Sequence, residues 1–170
     1  MDGKCNTDSI RQRVKEILSC FSLSEIDMSL NPGERLRTLR QTAGLSIRKL
    51  ARCSEISTDT IINAEYGRKN LRLPSAIKLA NVFGISPGAL MISNTPSGRG
   101  ELSNKVLSSR LLLGLKQNEF AELLGVNPSS IRDWELGKRE IAERCLRLLE
   151  IVECLVFETL TYSKAKSRNP

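Results

Sequence analysis

Histidine is absent from this sequence of 170 residues. That removes the commonest general base and the commonest zinc ligand. Aromatic residues are scarce: one Trp, two Tyr and four Phe. Since 40% of the chain is still hydrophobic, its cores must be built mainly from Leu, Ile, Val and Ala. Such cores suit compact helical bundles better than sheets, which favour aromatic and β-branched side chains. No Cys-x-x-Cys occurs. The five cysteines, Cys5, Cys20, Cys53, Cys145 and Cys154, are odd in number and irregularly spaced. This argues against a metal site or a disulfide framework, and for reduced thiols acting as small apolar residues in cytoplasm. There is no long apolar run, and the N-terminus MDGKCNTDSI lacks a basic stretch followed by an apolar one. Neither a membrane span nor a signal peptide is expected. A nucleophile–base pair and a Gly-rich phosphate loop followed by Lys-Ser/Thr are also missing, so the expectation is a non-enzyme without cofactor or metal.

What the chain has in excess is positive charge. It carries 26 Lys and Arg against 19 Asp and Glu, a net +7, and its pI near 9.4 favours a polyanionic partner. It also has short apolar stripes at helical spacing. Ile10, Val14, Ile17, Leu18 and Phe21 predict an amphipathic helix over about residues 9–24, with Asp8 and Ser9 both candidate caps. Asn31, Pro32 and Gly33 then break the pattern. From Glu34 onward, short helices alternate with turn signals. Leu36, Leu39, Arg40 and Ala43 line a helix that Gly44 ends in a left-handed cap. Ser46 caps a second helix to about Arg52, and Ser57 caps a third from Thr58 to about Tyr66, ended by Gly67. Pro74 or Ser75 opens a fourth, and Ser86-Pro87 a fifth. The stretch SNTPSGRG at 93–100 reads as a linker.

The second half repeats the first at an offset of 70 residues. Arg40 matches Arg110, Gly44 matches Gly114, Leu45 matches Leu115 and Ala51 matches Ala121. Ile61 matches Ile131, Glu65 matches Glu135 and Gly67 matches Gly137. Leu50/Phe120, Ile56/Val126, Arg68/Lys138 and Lys69/Arg139 are conservative pairs. No gap is needed between 40 and 69, which is the mark of duplication. Two copies are too few for a solenoid and read as tandem domains. Beyond the repeat, Ile141, Cys145, Leu148, Leu149, Val152, Leu155, Val156 and Leu160 predict one long helix over about 141–160, and the basic tail TYSKAKSRNP reads as frayed. The expected organisation is an N-terminal helix (1–30), a first domain (31–95), a linker (96–105), a second domain with a long C-terminal helix (106–160) and a tail (161–170).

The stretches LRTLRQTAGLSIRKLARCSEISTDTIINAEYGRK and SSRLLLGLKQNEFAELLGVNPSSIRDWELGKR each resemble a helix-turn-helix domain of the phage-repressor (Cro, or xenobiotic-response-element) family. The resemblance covers roughly 34–91 and 106–150. The second copy, with FAELLGV, WELGKR and LRLLEIVE, is also similar to the DNA-binding domains of certain antitoxins. The implied fold is all-α: two tandem lambda-repressor-like bundles with flanking N- and C-terminal helices. The local chemistry suits it. Ala51 and Ala121 are small where two helices must cross. Gly125 takes a positive φ cheaply at the tight turn. Ile56, Ile61 and Ala64 anchor the recognition helix in the first copy, and Val126, Ile131 and Trp134 in the second. Ser57 and Asn127 cap these helices, and Pro128 stands at a first helical position, where its missing N–H costs little.

The resemblance also implies roles. Arg40 with Glu65, and Arg110 with Glu135, would pair between the first and third helices of each domain as structural clasps; losing one partner of a buried pair costs roughly 3–5 kcal/mol. The start of a recognition helix enters the major groove. Thr58, Asp59 and Asn63 would meet base edges in the first copy. Pro128, Ser129 and Asp133 hold the same places in the second, with Arg132 beside them. Asn63 suits adenine and Arg132 guanine, while Asp59 and Asp133 repel phosphates but can accept from cytosine. Phosphate contacts are expected from Arg68, Lys69, Gln117, Lys138 and Arg139. The first copy departs from the pattern: Ile47 stands where Gln117 does, and Ser54-Glu55 replace an apolar residue and Gly. A left-handed Glu55 would carry about 1–2 kcal/mol of strain.

Charge divides the copies. Residues 31–95 carry 10 basic and 4 acidic side chains, whereas 96–160 carry 9 basic and 10 acidic. Phosphate neutralisation supplies much of the affinity for DNA, so the first copy has the stronger electrostatics and the second the better motif. Both are expected to bind, or one serves as a packing or dimer module. The function these features imply is a transcriptional regulator, a repressor or autoregulator, that reads double-stranded DNA with residues 57–66 and 127–136 from the cytoplasm and nucleoid. Two units would read half-sites one helical turn apart, or a homodimer would form through the long helix. The alternative is an antitoxin or anti-factor whose N- or C-terminal helix grips a partner protein.

Overall fold

The computed structural model describes residues 7–21, 26–93 and 100–166, with side chains only as far as Leu155 in the last stretch. The elements are α1 (Thr7–Ser19), α2 (Pro32–Thr42), α3 (Ile47–Ser54), α4 (Thr58–Glu65), α5 (Leu73–Phe83), a 3-10 turn (Pro87–Leu90), α6 (Glu101–Leu112), α7 (Gln117–Leu124), α8 (Pro128–Glu135) and α9 (Glu143–Lys166). The all-α reading holds, with no strand among the described residues.

The first copy, α2 to the 3-10 turn, closes over Leu36, Leu50, Ile61, Leu79 and Leu90. The second, α6 to α9, closes over Val106, Phe120, Leu124, Ile131 and Val152. Each such side chain, once removed from water, contributes about 1.5–3 kcal/mol before entropy is counted. These positions are the apolar stripes of the sequence, now facing inward.

Asn31, Pro32 and Gly33 do more than end a pattern; they begin α2. The Asn31 side chain accepts from the Glu34 backbone N–H at 2.9 Å, and the Glu34 carboxylate accepts from the Asn31 N–H at 3.1 Å. This reciprocal capping satisfies two otherwise orphaned donors, and Pro32 fills the first helical position without loss. Gly33 then lets α2 cross the end of α4 backbone to backbone, where any side chain would collide with the carbonyl oxygens of Ala64 and Glu65.

Arg35 is a buried charge that the sequence pattern did not disclose. Its Nε donates to the Leu30 carbonyl at 3.0 Å, and its other nitrogens donate to the Ala89 and Ile92 carbonyls and to the Met28 sulfur at 3.3 Å. Burial lowers its pKa, with the Asp27 carboxylate acting in the opposite sense. The guanidinium thereby ties α2 to the chain leaving the 3-10 turn.

The N-terminal helix passes over the domain next to it in sequence. α1 packs on α9, and Ile10, Val14 and Leu18 join the core of the second copy. It ends at Ser19, and residues 22–24 of the expected helix lie outside the described residues. The copies also touch directly. The Ser86 hydroxyl donates to the Leu112 carbonyl at 2.5 Å, and a Cβ on Gly88 would strike the backbone of Leu111 and Leu112. The first copy's tail therefore abuts the end of the second copy's first helix.

Some boundaries fall elsewhere than the sequence suggests. From Glu101 the chain is already helical, while 94–99 lie outside the described residues. α9 starts at Glu143 and runs to Lys166, so the first six residues of the expected frayed tail are helical. Cys145 is buried as expected of a small apolar residue, but Cys20, Cys53 and Cys154 are exposed. Cys5, Val156 and Leu160 lie outside the residues whose side chains are described. No described helix is long and apolar enough to cross a membrane.

Candidate nucleic-acid interface

Each copy holds a pair of short helices joined by a tight turn, α3 with α4 and α7 with α8. At the second turn Gly125 has φ 65°, whereas at the first Glu55 adopts φ 53° and ψ 39°. Glu55 is the only non-glycine residue with positive φ among those described. The left-handed geometry is thus kept where the glycine is not, and the backbone carries the strain instead of the side chain being excluded.

Both recognition helices are capped as the sequence implies. The Ser57 hydroxyl accepts from the Thr60 N–H at 3.3 Å. The Asn127 side-chain carbonyl accepts from the Ser129 N–H at 3.0 Å and from the Ser129 hydroxyl at 2.9 Å. Beneath them Ile61, Ala64, Ile131 and Trp134 are buried, and Ile56 and Val126 pack partly buried against the cores. The Trp134 indole N–H finds no partner, so this anchor holds by packing.

The clasps form in both copies. Arg40 meets the Glu65 carboxylate with two nitrogens at 2.6 and 2.8 Å and gives a third bond to the Leu45 carbonyl at 3.0 Å. The paired carboxylate raises the Arg40 pKa. Arg110 meets Glu135 at 2.5 and 3.3 Å and the Leu115 carbonyl at 2.9 Å. Each arginine thus ties the first helix of a domain to the recognition helix and to the turn between first and second helices. Three bonds from a planar, permanently charged donor fix orientation better than one point contact.

The outward faces are open. Asp59, Ser129 and Arg132 are exposed, and Thr58, Asn63 and Asp133 are half-exposed on the same helices. Arg68, Lys69, Lys138 and Arg139 are exposed beyond the helix ends. Their backbones are tethered there: the Arg68 and Lys69 N–H groups donate to the Asn63 carbonyl at 2.8 and 3.2 Å, and the Lys138 N–H donates to the Asp133 carbonyl at 2.9 Å. Gln117 differs from its expected role in one respect. Its amide nitrogen donates to Glu135 at 2.7 Å, so it is the third member of the second clasp. Ile47 instead packs against the first core. Among the described residues no cluster of three or more Cys, Asp or Glu could share a metal ion.

Residues 33–91 match a family model described as a helix-turn-helix domain, and residues 108–151 match one described as helix-turn-helix. The chain carries two tandem helix-turn-helix domains of the phage-repressor type. Among curated proteins it is similar to the HTH-type transcriptional regulator DdrOP3 of Deinococcus deserti, with 29% identity over 113 residues, 59% of this chain and 88% of that one. No solved structure matches it.

The tandem helix-turn-helix chain has one surface feature that the motif did not single out. Tyr66, directly after α4, is exposed, with the guanidinium groups of Arg37 and Arg68 beside its ring. An aromatic residue among basic ones was the only sequence signal, and the motif itself has no requirement at either Arg37 or Tyr66.

Proposed function

We propose that the chain is a sequence-specific regulator of transcription that binds double-stranded DNA, a repressor or autoregulator. In this reading α4 and α8 enter the major groove. The observation that carries it is that both recognition helices bury one side only. Their opposite faces present hydrogen-bonding side chains, with basic residues just beyond their ends. Thr58, Asp59 and Asn63, and Ser129, Arg132 and Asp133, are the base-reading residues. Arg68, Lys69, Lys138 and Arg139 hold phosphates; Gln117 joins them only if its amide can bridge Glu135 and the backbone. The regulator name of the Deinococcus relative supports this reading. The antitoxin alternative gains nothing from α1, because its apolar stripe is already covered by α9.

The test is enrichment of random duplexes on the full chain, repeated with Asn63→Ala and Arg132→Ala. Each substitution is expected to relax preference at one base pair and to cost about 1–3 kcal/mol on the preferred site. No retention of any duplex at low salt would refute DNA binding.

A further inference from the structure

We propose that Arg37, Tyr66 and Arg68 form a phosphate-holding fork on the first copy, which anchors the duplex backbone and has no counterpart on the second. This rests on the DNA-binding reading above. Tyr66 is 61% exposed. The guanidinium carbons of Arg37, from α2, and Arg68, from the turn after α4, lie 5.9 and 5.3 Å from its ring centroid. The ring's negative face attracts both cations and limits their wandering. Neither takes part in an ion pair with a carboxylate among the described residues. The nearby Glu65 is occupied by Arg40. Two like charges are thus collected on one ring without an intervening anion, an arrangement that an incoming anion would stabilise.

The chemistry fits a phosphate in particular. Guanidinium groups present parallel donors that match phosphate oxygens, and the Tyr66 phenol adds one more. On its Arg37 side the ring borders an open cleft of about 870 Å³ between the copies, lined by Arg37, Tyr66 and Lys69 and also by the acidic Glu34, while Arg68 stands outside it. The place fits as well. The fork lies at the C-terminal end of α4, away from the end that meets base edges, so it would meet the groove wall. At the offset of 70, the second copy has Leu107, Leu136 and Lys138 at these positions. It has neither ring nor paired guanidinium groups, and Leu136 is 47% exposed. The fork therefore assigns sequence-independent grip to the first copy.

The experiment titrates the full chain onto its enriched duplex and onto an unrelated duplex across a series of KCl concentrations. With Arg37→Gln, the slope of log K against log[KCl] is expected to become shallower by about 0.9, the value for one lost phosphate contact. Affinity should fall about tenfold at moderate salt, equally for both duplexes. Tyr66→Leu, which installs the second copy's residue, should act in the same direction. Both sites are exposed, so an unchanged melting midpoint confirms intact folding. An unchanged salt slope in Arg37→Gln, while the wild-type chain binds, overturns the fork and leaves DNA binding standing; so does a change in base preference alone. Failure of the wild-type chain to bind either duplex removes both.

Discussion

At residue 55 the fold demands a left-handed backbone, and glutamate supplies it at a cost. The second copy shows the relaxed solution, Gly125, at the matching position. Glu55 recovers little through its side chain: its bond to Lys78 at 3.0 Å is between exposed groups, and such pairs contribute under about 1 kcal/mol. Glu55→Gly is therefore expected to stabilise the chain by about 1 kcal/mol, as the left-handed penalty is lifted and partly offset by added freedom in the unfolded state. A urea midpoint that moves down would show that Lys78 matters more than the backbone. The clasps carry a similar lesson. Two arginines that make the same three bonds to equivalent partners differ in that only Glu135 also receives a glutamine, because residue 47 is apolar where residue 117 is polar.

Among the elements, α1 is the one whose neighbour could not be guessed. Its stripe of Ile10, Val14 and Leu18 requires an apolar cover, and the periodicity is satisfied by any such surface. The cover turns out to be α9, the helix whose broad apolar face also suggested a dimer interface. Part of that face is thus used within one chain. Val14 is fully buried, and an unpaired carboxylate there costs more than leaving the helix in water. Val14→Asp is expected to release α1 and to expose α9. Sedimentation should then show self-association that rises with concentration, while the first copy stays folded. A monomeric variant with an unchanged unfolding midpoint would show that α1 is not the cover that matters.

At the scale of the molecule, the contact between the copies joins unlike parts. Ser86 and Gly88, from the first copy's tail, meet Leu112 at the end of the second copy's first helix. A two-fold pair would use the same patch on both sides, so the copies are joined head to tail rather than as a repressor dimer in miniature. Gly88 decides the closeness of that contact. Gly88→Ala is expected to push the copies apart, because the added carbon meets backbone rather than a side chain that can turn away. Calorimetry is then expected to resolve two transitions in the variant and one in the native chain. A single unshifted transition in the variant would mean that the copies stay coupled without the close approach at Gly88. The excess charge lies on the first copy, so its separation from the second would leave non-specific DNA attraction with the first.

Much of this was legible in the chain itself, because it rests on local rules. Apolar spacing marks which face of each helix is buried, Ser57 and Asn127 mark where the recognition helices start, and the 70-residue offset marks the duplication. The clasps and the family followed from those same residues. What lay beyond local rules was settled by packing. Arg35 looks like any surface arginine until the Leu30, Ala89 and Ile92 carbonyls converge on it. Arg37 and Tyr66 stand 29 positions apart in the chain and meet only because α2 crosses α4 at Gly33. Pattern alone determined that two helix-turn-helix units exist and which sides of their helices face outward. Tertiary structure alone decided that α1 belongs to the distant copy and that the two units abut through different surfaces, since an apolar stripe specifies that it must be covered but not by what.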